Sequence, residues 1–168
     1  MSLNKKIIII YRNYKEKYDE QKILKIRNFC KSSNRKFFLA NNIKLTLKLN
    51  LDGAYIPSFN RSLSVSRLKN RNITLIGSAH NLKEINEKKK QCLDLIVLAP
   101  IFDVPKTNKA LGVIRFNILS NQIKSQKVAL GGINLKNIKK LNMLNCNGFA
   151  SISYVKESNN NIKNFRKC

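Results

Sequence analysis

Short apolar runs alternate with longer amphipathic stretches from one end of this chain to the other, and that rhythm limits the possible folds more than any other feature. The runs Ile7–Tyr11, Lys36–Leu39, Gly53–Ile56, Thr74–Ile76, Leu93–Leu98, Val128–Leu130 and Phe149–Ile152 have the length and residue types of strands. Between them Ile23, Ile26 and Cys30 keep helical spacing, as do Leu135, Ile138 and Leu141, and less cleanly Leu63 and Leu68. Asn81 followed by Glu84 reads as a capping box, which puts a strand-to-helix turn at Ser78 to Asn81. A nearly continuous apolar run such as Leu93–Leu98 suits a parallel sheet covered on both faces. The pattern predicts an α/β fold of seven βα units in one domain over residues 1–157, followed by a polar, basic tail over 158–168.

Such units build either an open, doubly wound sheet or a closed barrel, and the glycines help to choose. No G-x-G-x-x-G and no G-x-x-x-x-G-K-[ST] is present, so the nucleotide loops of open sheets are missing. Instead Leu130-Gly131-Gly132-Ile133 and Gly148-Phe149-Ala150-Ser151-Ile152-Ser153 each end an apolar run late in the chain. Small residues with free backbone amides at two late strand ends are where barrel enzymes often hold a phosphate. The expected architecture is therefore a (β/α) TIM-type barrel with its ligand at the carboxyl ends of the strands.

The formal charge of +24 would by itself suggest nucleic acid. The lysines are scattered among asparagines and isoleucines, as an AT-rich genome writes ordinary solvated faces, and no aromatic-interleaved basic stripe accompanies them. Small anionic ligands are the preferred reading. The four cysteines form no C-x-x-C pair, and the single histidine, His80, completes no zinc set, so they read as reduced thiols in a cytoplasmic protein. The run Ile7–Ile10 is too short for a signal peptide, and no segment approaches the roughly 20 apolar residues of a membrane span.

Taken in order, Ile76-Gly77-Ser78-Ala79-His80-Asn81, Ala99-Pro100-Ile101-Phe102, Leu111-Gly112, Ala129-Leu130-Gly131-Gly132-Ile133 and Gly148 to Ser153 resemble the thiamine phosphate synthase and TenI-like family. The resemblance covers most of the chain and rests on order and spacing, since no single piece is specific. It implies a transferase that couples a hydroxymethylpyrimidine diphosphate to a thiazole phosphate with release of pyrophosphate, or else a non-catalytic TenI-like protein that binds thiazole phosphate. Its partners would be small phosphorylated heterocycles rather than nucleic acid or membrane. By the resemblance, Arg12 and Ser78 contact the pyrimidine diphosphate, and Gly131, Gly132, Ile152 and Ser153 hold the thiazole phosphate.

The departures from the family pattern matter as much. Where the family has an Asn-Asp-Arg run, this chain reads Ala40-Asn41-Asn42, and where a second aspartate follows it reads Asn60. The family's Mg²⁺ would thus meet neutral amides at both positions, so no metal ligands carry over. The Thr-x-Thr-Lys grip on pyrophosphate becomes Val104-Pro105-Lys106-Thr107, with Lys109 following. Ser78 and Lys106 are the expected catalytic groups; Arg12, Asn41, His80, Lys109, Gly131, Gly132, Ile152 and Ser153 are the expected substrate contacts. His80 also reads, from the residues alone, as a packing or capping group beside Asn81. The tautomerase histidine of TenI-like proteins would fall at Pro100. Ile7–Tyr11 corresponds to the family's second strand, so the first βα unit is expected to be absent, its place taken by the N-terminal residues or by a second copy in a homo-oligomer.

Overall fold

The computed structural model describes residues 7–14, 16–68, 71–105 and 110–157. The expected tail over 158–168, and with it Lys106 and Lys109, lies outside the described residues. Seven strands follow in chain order: β1 (Ile8–Tyr11), β2 (Lys36–Ala40), β3 (Gly53–Ile56), β4 (Thr74–Ala79), β5 (Leu95–Leu98), β6 (Gln126–Leu130) and β7 (Gly148–Ala150). Each pairs in parallel with the next, giving one sheet in the order β1 to β7. Helices α1 (Glu20–Ser32), α2 (Ile43–Lys48), α3 (Leu82–Lys90) and α4 (Gly112–Ser120) supply the crossovers, with 3-10 turns at Leu63–Leu68 and Ile138–Met143.

Alternation along the strands sorts the side chains into two layers. On one face Phe38, Ala40, Tyr55, Ile76 and Val97 form a cluster that Ile10, Leu95, Val128 and Leu130 join. The helices pack on the opposite face, yet Phe38 and Ala40 are fully buried, so the sheet curls over its own side chains and this face is the concave interior of a half-barrel. The other face packs under the helices: Phe37 and Leu39 with Ile23 and Cys30 of α1, and Ile96, Leu98 and Ala129 with Ile85 of α3 and Phe116 of α4.

The amino ends of the strands are pinned by a repeated device. Asp52 Oδ2 accepts from the Phe37 amide at 2.9 Å, Asp94 Oδ2 from the Leu75 amide at 2.8 Å, and Asn147 Oδ1 from the Lys127 amide at 2.9 Å. In each case a polar residue just before one strand accepts from an amide near the start of its neighbour, fixing the parallel register. This explains why β5 begins at Leu95 rather than at Leu93: Asp94 is already committed to the edge of β4.

The α/β barrel expectation and the seven strands hold, with local corrections. The sequence spacing at Leu135, Ile138 and Leu141 yields a short 3-10 helix over Ile138–Met143, with Leu135 before it, rather than an α-helix. The last strand stops at Ala150 instead of running to Ile152, because residues 153–157 wind into a helix. Helix α4 lacks a side-chain cap and leaves Ile114 and Ile118 exposed, so its apolar residues do not mark one clean face. Buried positions on either face carry more stability than exposed ones. Phe38→Ala, at a fully buried position, should cost about 3–5 kcal/mol in urea unfolding, whereas Ile114→Ala on the open face of α4 should change it by less than about 0.5 kcal/mol.

Candidate functional site

The carboxyl ends of the strands carry two groups of residues, and each is held by different chemistry. On the late side, pairing of Leu130 with Ala150 sets the Gly131-Gly132 turn beside Ser151, Ile152 and Ser153. Ser151 Oγ donates to the Ile133 carbonyl at 2.6 Å and accepts from the Tyr154 amide at 3.1 Å, locking the two strand ends together. Gly131 and Gly132 have φ of +103° and +69°, which other residues adopt only with strain. They also pack tightly: a Cβ on Gly131 would meet Pro100 at 2.6 Å, and one on Gly132 would meet the Asp103 carbonyl at 2.5 Å. Both glycines therefore serve the crossing of the segment after β5 as well as any ligand. Ile152 is 73% exposed and Ser153 is exposed, so both are open to solvent at this end.

In the middle, Ser78 lies two residues after Ile76 on β4 and so faces the concave interior, where it is 6% exposed. His80 sits just past the strand. Its amide donates to Glu84 Oε2 at 2.8 Å, its Nδ1 lies 2.8 Å from the same oxygen, and Asn81 Oδ1 accepts from the Glu84 amide at 3.0 Å. The capping box is thus present, except that Glu84 reaches back to His80 rather than to Asn81. One ring nitrogen of His80 contacts the Glu84 carboxylate in the first turn of α3, while Asn81 is the cap.

The early side is built from side chains. Arg12 follows β1, with its guanidinium 5.8 Å from the centroid of the Tyr14 ring, and Phe59 meets the same ring edge-on at 5.5 Å. Burial, followed by the neighbouring Tyr55, pushes the Tyr14 phenol up to about 12, so it is a neutral donor throughout the physiological range. Asn41 takes a left-handed φ of +54° at the end of β2, and its Oδ1 accepts from Asn60 Nδ2 at 2.7 Å. The two positions where the resemblance places carboxylates are therefore bonded directly to each other as amides.

That pair decides whether a resident Mg²⁺ fits. A hard dication wants several charged or carbonyl oxygens. Here one of the two side-chain oxygens is taken by the partner's N–H, and the other, Asn60 Oδ1, accepts from the Ser62 amide at 3.0 Å. Among the described residues no group of three His, Cys, Asp or Glu side chains converges on a metal position. The donor set does not fit a bound Mg²⁺.

Sequence reasoning missed the residues beneath the early side. Lys88 of α3 is fully buried, and its Nζ donates to the carbonyls of Pro57 and Asn60 at 2.8 and 2.7 Å and to Gln91 Oε1 at 3.0 Å. Gln91 Nε2 donates to the carbonyls of Asn60 and Ser62, both at 3.0 Å. Burial pushes the Lys88 ammonium down to about 8. The available signal was its phase: Lys88 lies three residues after the buried Ile85, on the inward stripe of α3, hidden within a run of three lysines.

The family profile described as Thiamine monophosphate synthase matches residues 4–155. The chain belongs to the thiamine monophosphate synthase family. It is similar to the thiamine-phosphate synthase of Prochlorococcus marinus strain AS9601, 28% identical over 155 residues, covering 89% of this chain and 43% of the relative. It is also similar to that of Pyrococcus horikoshii, 26% identical over 132 residues, covering 77% of this chain and 64% of the relative. The chain thus spans about half to two thirds of the length of these curated relatives. Among solved structures, thiamine phosphate pyrophosphorylase from Pyrococcus furiosus superposes with a TM-score of 0.70 at 20% identity, over 88% of this chain and 72% of that one. This likeness supports the family's barrel fold. Among the described residues, no helix is long and apolar enough to cross a membrane.

Two outcomes test this geometry. Mg²⁺ should leave the melting temperature of the wild-type chain unchanged, whereas Asn41→Asp with Asn60→Asp should melt lower without metal and recover when Mg²⁺ is added, as two adjacent carboxylates need a cation between them. The second concerns Lys88, whose proton leaves near pH 8 in the folded chain and near 10.5 in the unfolded one. Between these values the unfolded state binds more protons, so unfolding free energy should rise with pH across that window. Cys30, Tyr14 and Tyr18 titrate in both proteins, so denaturant titrations should show the wild-type stability gaining on that of Lys88→Met as pH rises across this window.

Proposed function

We propose that the chain is a cytoplasmic thiamine phosphate synthase-like transferase, joining a hydroxymethylpyrimidine diphosphate to a thiazole phosphate and releasing pyrophosphate. The observation that carries this reading is the pairing of two late strand ends, with the Gly131-Gly132 turn beside Ile152 and Ser153, in a chain of this family. Backbone amides at a glycine turn and a free hydroxyl suit a phosphate monoester. Ser78, on the interior face between the two sides, is suited to contact the substrate whose bond breaks.

In the proposed reaction the bond from the pyrimidine methylene carbon to the diphosphate oxygen breaks, and its electron pair leaves with pyrophosphate. The thiazole nitrogen then supplies the pair that forms the new carbon–nitrogen bond. The chain's task is to hold the two rings in line and to stabilise the departing anion with fixed positive charge. Arg12, steadied on Tyr14, is the cation in place on the early side. Lys106 and Lys109 are the further cations we assign to the leaving group, with Lys106 and Ser78 as the catalytic pair. No step is routed through a resident metal, because the Asn41–Asn60 pair does not fit one.

Turnover of both substrates to thiamine phosphate tests the proposal directly. Ser153→Asp, at an exposed position where a carboxylate costs no packing, should raise the KM for thiazole phosphate by about tenfold or more, equivalent to about 1.4 kcal/mol or more. An unchanged KM would remove the phosphate assignment. Tight binding of thiazole phosphate without turnover would instead support a TenI-like binding protein, a reading that the loss of both carboxylates favours. Salt-sensitive binding of nucleic acid, without competition from small phosphates, would overturn both.

A further inference from the structure

The segment from Pro57 to Ser62, between β3 and the 3-10 turn at Leu63–Leu68, has no regular structure of its own, yet almost every polar group of Asn60 within it is engaged. The Asn60 amide donates to the Pro57 carbonyl at 3.0 Å, its Oδ1 accepts from the Ser62 amide, its Nδ2 donates to Asn41, and its carbonyl accepts from both Lys88 and Gln91. Lys88 and Gln91 are both fully buried at the carboxyl end of α3, and four hydrogen bonds run from them to main-chain carbonyls of this segment, while a fifth joins the two side chains to each other.

A buried ammonium that collects main-chain carbonyls does what a bound monovalent cation would do, cross-linking the segment by its backbone. Such burial costs free energy unless every donor is satisfied, and here all three lysine N–H groups have acceptors. Room for the lysine stem comes from Gly77 of β4, where a Cβ would lie 3.1 Å from Lys88 Cδ and would clash with Leu93. Two side chains of the held segment point at the early side of the site: Asn60 bonds Asn41, and Phe59 packs on the Tyr14 ring over which Arg12 lies.

The geometry points to Lys88 and Gln91 as positioning residues for the diphosphate side of the site: through residues 57–62 they fix the Asn41–Asn60 bridge and the Arg12–Tyr14–Phe59 stack, so that a protein-borne cation orders this side without a metal. This rests on the assignment of Arg12 to the diphosphate given above. The late side, held by Ser151 and the two glycines, touches neither residue, so the effect is confined to one substrate.

The test uses the full chain with Gln91→Leu and Lys88→Ala, each checked for folding by circular dichroism. Both variants should raise the KM for the pyrimidine diphosphate by about tenfold or more while the KM for thiazole phosphate stays within about twofold. A small alkylammonium such as n-propylammonium should restore the KM of Lys88→Ala and leave Gln91→Leu unchanged, a rescue that general destabilisation would not give. If Lys88→Ala does not fold, the Gln91→Leu split decides. Equal changes in both KM values, or none, would overturn the positioning role. If the wild type gives no thiamine phosphate, the synthase reading fails by itself, and titration with inorganic pyrophosphate then judges the clamp. Wild-type binding that weakens in the variants upholds it; equal binding in all three, or none in the wild type, overturns it.

Discussion

Parallel strands in this chain have to bury both faces, and that requirement organises the molecule. The outer face is covered by α1, α3 and α4, whereas the inner face has only the other strands to pack against, so the sheet curls and buries Phe38, Tyr55, Ile76 and Val97 on its concave side. Curling brings the carboxyl ends of successive strands toward one another. Near the amino ends of β2, β4 and β6, amides donate to the side chains of Asp52, Asp94 and Asn147.

The two sides of the mouth follow different physical strategies. The late side is shaped by absent side chains: Gly131 and Gly132 let the segment after β5 pass within van der Waals contact, and a single serine hydroxyl ties the two strand ends together. The early side is shaped by present ones, with an amide pair, an aromatic stack and a buried lysine beneath them. A backbone site suits a phosphate monoester because amide donors are fixed by the chain path. A side-chain site needs support from below, and α3 supplies it.

Charge is arranged in keeping with anionic ligands. The chain has nine acidic residues, and most are spent on structure: Asp19 and Glu84 at helix starts, Asp52 and Asp94 at strand amides, Glu20 paired with Lys48, Glu87 with Arg61, and Glu157 on the Leu135 amide. The basic excess is left largely unopposed, and the neutral Asn41–Asn60 pair adds no negative charge to the early side.

The alternating pattern by itself determined the α/β class, the seven strands, the helix start at Asn81 and the Gly131-Gly132 turn, because burial on two faces and left-handed backbone leave direct marks on residue type. Arg12, Ser78, Gly131 and Gly132 were legible as residues near the carboxyl ends of strands, and the family resemblance is what proposes them, with Ser153, as site positions. The bond between Asn41 and Asn60 was not, since the two residues are distant in sequence and a neutral asparagine gives no sign of its partner. Nor was the role of Lys88, one of three consecutive lysines, or its dependence on Gly77 for space. Only tertiary structure decided these, because hydrogen bonds between side chains and distant carbonyls depend on how α3 packs on β4, and local periodicity reports which face a residue takes but not what it meets there.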